Sequence, residues 1–230
     1  MWVVIPVKRF ANAKSRLAPA LSEAERESLA QAMLNDVLNA VRQARGVDGL
    51  LVISHEVRAR YAVERAGGLY LDESGSGLSA AIAQAGEWLG SHGQTGLLMI
   101  PGDVPLVGPQ EIDRIIEQHR GAPGVTLVPD REMDGTNALA VTPHDAIEFA
   151  FGRGSFDKHK LAAEVAGADL SVIHLHGLAL DIDHPLDLHT LLTFDSETET
   201  LDYLCDSGIA RRIMPTSKQT GEMSGSPHRP

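Results

Sequence analysis

The first residues that could carry chemistry form a basic loop near the N-terminus. They are Lys8, Arg9, Lys14, Ser15 and Arg16, and they follow an apolar run of strand length, residues 2–7. In open α/β sheets, ligands bind beyond the carboxyl ends of the strands, and several cations with a hydroxyl group there would suit a triphosphate. A solvated basic loop explains the same charges equally well. A P-loop is excluded, because the chain has no Gly-x4-Gly-Lys-Ser/Thr motif.

Asp103 is a candidate metal ligand. It follows the apolar run Leu97–Ile100 directly after Pro101 and Gly102, so a rigid turn holds its carboxylate at the end of a predicted buried strand. Mg²⁺ commonly takes one or two protein carboxylates and completes its shell with water and substrate phosphate. The alternative is an aspartate that only stabilises a turn. Rigidity and position favour the metal role.

A second pair of carboxylates lies far along the chain. Asp181 and Asp183 are two residues apart around a predicted strand, Leu178–Ile182, and would share one face of it. Acidic residues before a helix are usually caps, and Pro185 begins a predicted helix here. Combined with Asp103, one of the two would complete a two-carboxylate metal site. We expect Asp183 to be that ligand, and Asp181 is the alternative.

A third group could bind an anion. It combines Thr136 and Asn137 with Gly152, Arg153 and Ser155, the last three from a Gly-rich loop that precedes a predicted helix. Glycines expose backbone N–H groups, and the N-terminus of a helix favours phosphate or carboxylate. A flexible surface loop is the competing interpretation.

The elements that must position these residues form an α/β pattern. Strand-like apolar runs alternate with amphipathic helices up to residue 128, beginning with a long helix that a Ser22–Glu25 capping box opens. This alternation predicts a mostly parallel sheet. Beyond residue 130 strands and helices no longer alternate regularly. Three apolar segments there are predicted strands: Asn137–Val141, Ser171–Leu175 and Leu178–Ile182. We predict a single three-layer α/β domain with a mostly parallel sheet.

Charge and composition exclude several classes of function. The formal net charge is −11, from 20 Lys plus Arg against 31 Asp plus Glu, which argues against nucleic-acid binding. No apolar run approaches the length of a membrane span, and no signal peptide opens the sequence, so we expect a cytoplasmic protein. The single cysteine, Cys205, lies beside Asp202 and Asp206, which disfavour a reactive thiolate. Chemistry that only places anions and a metal, such as phosphoryl-type transfer, fits this inventory.

The motifs taken together are similar to those of a known family. Val4-Ile5-Pro6-Val7-Lys8, Ala13-Lys14-Ser15-Arg16-Leu17, Gly102-Asp103-Val104-Pro105-Leu106, Gly135-Thr136-Asn137 and the Gly152–Phe156 loop resemble the 2-phospho-L-lactate guanylyltransferases. Relatives in that family act on phosphoenolpyruvate or 3-phospho-D-glycerate, in biosynthesis of the deazaflavin coenzyme F-420. The likeness covers about residues 2–192. Ser79 and His184 depart from it, standing where the family has Asn and Thr.

The resemblance implies a nucleotide-diphospho-sugar transferase fold and a set of roles. Lys8, Lys14 and Arg16 would hold the triphosphate of GTP, Asp103 and Asp183 the Mg²⁺, and Thr136, Asn137, Gly152, Arg153 and Ser155 the phosphorylated acid. Gly77, Leu78, Ser79, Pro101 and Gly102 would contact the nucleotide. Residues 1–195 would be the nucleotidyltransferase domain, followed by an acidic helical extension (196–214) and a disordered tail (215–230). A homodimer, and hand-over of a labile product to the next enzyme of the pathway, are further expectations.

Two alternatives remain open at this point. One is a nucleotidyltransferase with another acceptor, such as the molybdenum cofactor or methylerythritol phosphate. The other is a non-catalytic nucleotide-binding protein that retains the sheet.

Overall fold

The architecture is known from a computed structural model, which describes residues 1–214. Within that range a seven-stranded sheet has the order β3-β2-β1-β4-β6-β5-β7. Its strands are β1 (Trp2–Val7), β2 (Gly49–Ser54), β3 (Leu69–Asp72), β4 (Leu97–Met99), β5 (Gly124–Pro129), β6 (Thr136–Thr142) and β7 (Asp169–Val172). β6 runs antiparallel to β4 and β5, whereas the other neighbouring pairs are parallel. The predicted mostly parallel α/β sheet is confirmed.

Helices cover both faces of the sheet and create two hydrophobic cores. They are α1 (Glu23–Gln43), α2 (Val57–Arg65), α3 (Leu78–Ser91), α4 (Pro109–Gln118), α5 (Ser155–Val165), α6 (His176–Ala179), α7 (Pro185–Leu191), α8 (Glu199–Asp206) and α9 (Ile209–Ile213). Alternate residues of the strands serve opposite cores: Val3 and Ile5 pack with α1, whereas Val4 packs with α3. None of the helices within residues 1–214 has both the length and the apolar character that crossing a membrane requires.

Local signals in the sequence explain where the first helices begin. The Ser22 side chain accepts a hydrogen bond from the Glu25 N–H, and the Glu25 carboxylate accepts one from the Ser22 N–H, as the predicted capping box requires. Pro109 occupies the first turn of α4, where its missing N–H has no intrahelical partner to lose.

The C-terminal helices pack against α1. Asp36 of α1 accepts hydrogen bonds from the backbone N–H groups of Glu199 and Thr200 and from the Thr200 hydroxyl. Leu201 and Leu204 of α8 belong to the same core as α1. The acidic extension is therefore anchored to the domain by buried contacts. The predicted disordered tail, 215–230, lies outside the described residues.

One predicted strand is wrong and another is displaced. Residues 178–182 include the end of the short helix α6 and then an extended segment that joins no ladder. Leu178, Leu180 and Ile182 are buried, so the alternating pattern reflects packing against the core rather than strand pairing. β7 spans Asp169–Val172, whereas the predicted strand spanned Ser171–Leu175, so the observed strand lies nearer the N-terminus.

Candidate functional site

An open cavity lies at the carboxyl ends of the parallel strands. It has a volume of about 430 Å³ and is bounded by the loops after β1, β3 and β4. Asp183, from the segment between α6 and α7, also lines it. This is the edge at which open α/β sheets bind ligands. Nine of the predicted site residues line it: Lys8, Lys14, Arg16, Gly77, Leu78, Pro101, Gly102, Asp103 and Asp183.

Lys14 joins the two carboxylates that the sequence singled out. Its ammonium group forms a close ion pair with Asp103 Oδ2 and lies 3.7 Å from Asp183 Oδ1. The Arg16 guanidinium donates to Asp183 Oδ2 at 2.5 Å. The Lys14 side chain is only 7% exposed, whereas the carboxylates of Asp103 and Asp183 are 33% and 35% exposed. Two carboxylates therefore converge on one cation and remain open to the cavity.

The backbone around this cluster is constrained. Lys14 has φ 56° and ψ 36°, a left-handed conformation that is unfavourable for a residue with a Cβ atom and that occurs often at functional sites. The Ile182 N–H donates to the Asp103 carbonyl oxygen at 3.1 Å, which holds the segment carrying Asp183 against the turn after β4. The juxtaposition of the two aspartates is therefore built into the backbone.

The surroundings of the carboxylates affect their protonation in opposite ways. Burial opposes ionisation of Asp183, but Lys14 and Arg16 outweigh it and hold its pKa below the ordinary value. Burial, with a contribution from the charge of Asp103, raises the pKa of Asp181. Asp183 therefore ionises more readily than Asp181.

The pair is compatible with Mg²⁺. Within residues 1–214, no cluster of three or more His, Cys, Asp or Glu side chains has the arrangement of a metal site. Magnesium does not need one, because one or two protein carboxylates suffice when substrate phosphates and water supply the other oxygens. The donor set of Asp103 and Asp183 therefore suits a hard, oxygen-preferring cation that arrives with a nucleotide.

The residues predicted to bind the acid form a neighbouring group outside the cavity lining. Thr136 and Ser155 are buried, and His159 is fully buried beside Thr136. The Ala150 N–H donates to His159 Nε2 at 3.0 Å, so the imidazole proton lies on Nδ1, which contacts Thr136 Oγ1 at 3.0 Å. The Thr136 hydroxyl can then accept from His159 and direct its own hydrogen elsewhere. Burial, with a smaller effect of Lys158, lowers the pKa of His159 to about 4.

Hydrogen bonds to Asp134 and Ser79 hold the Gly-rich loop in place. Gly152 and Gly154 have φ values of 109° and 68°, which glycine adopts without strain. Asp134 accepts hydrogen bonds from the Gly154 N–H through its side chain and from the Phe156 N–H through its carbonyl oxygen. The Phe151 N–H donates to Ser79 Oγ at 3.0 Å. Ser79, predicted to contact the nucleotide, therefore links the start of α3 to this loop.

The remaining predicted residues occupy different positions. Arg153 is exposed on the loop. Asn137 is buried and donates to the Leu178 carbonyl oxygen at 2.8 Å, with Asp181 Oδ1 at 3.4 Å. The structure thus brings the nucleotide- and metal-directed residues other than Ser79 into one cavity, and Ser79, next to Leu78 of the cavity wall, accepts a hydrogen bond from the loop of the acid-directed group.

Sequence reasoning missed two residues that the structure places at or beside the site. Glu73 lines the cavity after β3, and His159 contacts Thr136. Asp134, which holds the Gly-rich loop, begins the predicted anion-binding segment that contains Thr136. The position of Glu73 at the end of a parallel strand was a usable signal, because the loops after β1 and β4 were recognised on that ground. Nothing in the local sequence distinguishes His159 from the other nine histidines.

Comparison with known proteins identifies the family of this chain. The family model described as "Guanylyl transferase CofC like" matches residues 1–224. The phosphoenolpyruvate guanylyltransferase of Sphaerobacter thermophilus is 38% identical over 82% of this chain and 90% of its own length. The 3-phospho-D-glycerate guanylyltransferase of Colwellia psychrerythraea is 34% identical, covering 88% and 97%. The 2-phospho-L-lactate guanylyltransferase of Methanothermobacter thermautotrophicus is also 34% identical, covering 87% and 88%.

Solved structures support the fold. A protein from Desulfovibrio desulfuricans G20, assigned to the nucleotide-diphospho-sugar transferases, superposes with a TM-score of 0.72 at 12% identity, covering 92% of this chain and 97% of its own. A nucleotidyl transferase from Methanothermobacter gives 0.61 at 18% identity, covering 84% and 98%. At such identities the likeness concerns the fold alone. The family match and the curated relatives go further, and this chain belongs to the CofC-like guanylyltransferases.

Proposed function

We propose that this protein transfers GMP from GTP to a small phosphorylated carboxylic acid and releases pyrophosphate, in the biosynthesis of coenzyme F-420. The observation that carries the proposal is the convergence of Asp103 and Asp183 on Lys14 in the wall of the cavity. That arrangement suits a reaction between two anions, in which cations must offset their mutual repulsion. The relatives named for such reactions support the choice of substrates.

The triphosphate is the ligand we assign to the loop after β1. Lys8 and Arg16 are exposed at the cavity, and Lys14 and Arg16 contact the carboxylates. Positive groups near the β- and γ-phosphates would stabilise the charge that builds up as pyrophosphate leaves. A triphosphate entering with its cation would compete with Lys14 for Asp103 and Asp183, which frees the ammonium group to contact phosphate.

The Mg²⁺ that Asp103 and Asp183 would hold supplies charge neutralisation on the triphosphate. A phosphate oxygen of the acid attacks the α-phosphorus of GTP, a new P–O bond forms, and the bond to pyrophosphate breaks. The attacking phosphate is already ionised at neutral pH, so the protein needs no strong general base. Its own residues act by placing two anions in line and by offsetting their charge.

The phosphorylated acid is assigned to the group around the Gly-rich loop. Ser155 begins α5, whose N-terminus favours anions, and Arg153 adds an exposed guanidinium group on the loop before it. Thr136 would add a hydroxyl donor, with Asn137 beside it in β6. The candidate acids are 2-phospho-L-lactate, 3-phospho-D-glycerate and phosphoenolpyruvate.

The decisive experiment is mass spectrometry of the product formed from GTP and an equimolar mixture of the three acids. We expect one guanylylated acid to dominate and pyrophosphate to appear in equal amount. Parallel reactions with ATP, CTP and UTP, and without Mg²⁺, serve as controls. Transfer of another nucleotide in preference to GMP, or pyrophosphate without an acid adduct, would refute the proposal.

A further inference from the structure

A carboxylate that the proposed reaction does not use lies in the cavity wall. The Glu73 side chain is 15% exposed and faces the cavity directly after β3. Its backbone is fixed, because the Glu73 N–H donates to the Ser54 carbonyl oxygen at 3.1 Å. Among the described residues no donor forms a hydrogen bond to its carboxylate, and the nearest side-chain nitrogen in ion-pair range is His55 Nε2, 4.0 Å from Oε2. Both oxygens therefore keep acceptor capacity for a ligand.

The sheet order locates this carboxylate at the far end of the cavity from the metal-directed aspartates. β3 and β4 are separated by β2 and β1, so Glu73 and Asp103 follow strands three spacings apart. At about 4.8 Å per spacing the strand ends are roughly 14 Å apart, which leaves room for a nucleoside between them. A carboxylate beside the triphosphate would repel it, whereas one at this distance can face only the base or ribose end.

The cavity walls suit a flat ring with apolar faces. Leu78 and Ala81 of α3, with Met33 and Leu34 of α1, line the same cavity. Apolar side chains can cover the faces of a base, and its identity must then be read at its edge by polar groups. Glu73 offers two adjacent acceptors and no donor at neutral pH.

We propose that Glu73 is the residue that selects guanine, by accepting hydrogen bonds from its N1–H and its 2-amino group. Guanine is the base whose pairing edge presents two neighbouring donors, whereas adenine and cytosine present a donor beside an acceptor and uracil a single donor between two acceptors. This inference rests on the proposed transfer from GTP and adds the residue that reads the base. Glu73 is a specificity-determining residue and takes no part in the phosphoryl transfer.

The test uses base analogues that change one group at a time. Inosine triphosphate lacks the 2-amino group, and xanthosine triphosphate has an oxygen in its place. For the wild-type enzyme we expect kcat/KM to favour GTP over both. In Glu73→Gln the amide offers one acceptor and one donor, so kcat/KM for GTP should fall about 10- to 100-fold, the preference over inosine triphosphate should largely vanish, and xanthosine triphosphate should become the better substrate.

Asp72→Asn is the matched control. It removes the same charge from the adjacent residue, whose side chain is exposed and outside the cavity lining. We expect its ranking of the three nucleotides to equal that of the wild type. Glu73→Asp keeps the two acceptors on a shorter side chain and should retain the preference for GTP with a reduced kcat/KM, and thermal unfolding checks that every variant is folded.

The outcomes separate the two proposals. A wild-type enzyme that prefers GTP, with an unchanged GTP-to-inosine ratio in Glu73→Gln, would overturn the role of Glu73 and leave the proposed function standing. A wild-type enzyme that prefers a non-guanine nucleotide would overturn both. An equal change of ranking in Asp72→Asn would show that net charge, rather than contact with the base, is responsible, and would also overturn the assignment.

Discussion

His159 links the acid-directed group to the stability of the fold, and its protonation can be tested quantitatively. Its ring is fully buried, its Nε2 accepts the Ala150 N–H, and its Nδ1 contacts Thr136. A proton on Nε2 would face a donor and destroy that hydrogen bond. The protonated form is therefore disfavoured in the folded state, in line with a pKa of about 4 instead of the ordinary 6.5.

The sign and size of the effect follow from linkage. As pH falls below 6.5 the unfolded chain takes up a proton that the folded protein refuses, so stability declines until the pH passes about 4. The difference between the two pKa values corresponds to about 3 kcal/mol in full. Between pH 7 and pH 5, about 2 kcal/mol of it should be lost.

Urea unfolding of the wild type and of His159→Gln at the two pH values measures this loss. The glutamine does not titrate, so the variant should lose about 2 kcal/mol less than the wild type between pH 7 and pH 5. His119, whose pKa burial also lowers, remains in both proteins and cancels in the comparison. Parallel declines in the two proteins would refute the reasoning, because His159 would then contribute nothing to the pH dependence.

Three further substitutions test other contacts. Asp103→Asn should lower kcat by about 100-fold or more. The melting temperature should change little, because the Asp103 side chain is one-third exposed. Steady-state kinetics and a thermal scan check this, and undiminished turnover would remove Asp103 from the metal site. Ser155→Ala should raise KM for the acid more than KM for GTP, and the opposite ranking in the same assay would move the acid site elsewhere. Thr200→Val should cost about 1–3 kcal/mol in urea unfolding because it removes a donor from the half-buried Asp36; an unchanged midpoint would show that the extension contributes little to stability.

Much of the fold can be predicted from the local sequence. The apolar strand of residues 2–7, the Ser22–Glu25 capping box and Pro109 at the start of α4 are each determined by contacts within a few residues, and each was predicted correctly. Residues 178–182 show the limit of that reasoning. Alternation reports which side chains are buried, and the end of α6 with the unpaired segment after it buries Leu178, Leu180 and Ile182 in the same pattern as a paired strand.

The candidate site likewise has a part that local sequence determines and a part that long-range packing determines. The amino-acid sequence alone identified Lys14, Arg16, Asp103 and Asp183 as chemically suited residues, because charge type and a rigid turn are local properties. Only the tertiary structure decided that they meet: Arg16 and Asp183 form an ion pair although they are 167 residues apart, and the Ile182–Asp103 backbone hydrogen bond joins the segments of the two aspartates. The surroundings of His159 arise the same way, from long-range packing that no local pattern encodes, so its place beside Thr136 became visible only with the fold.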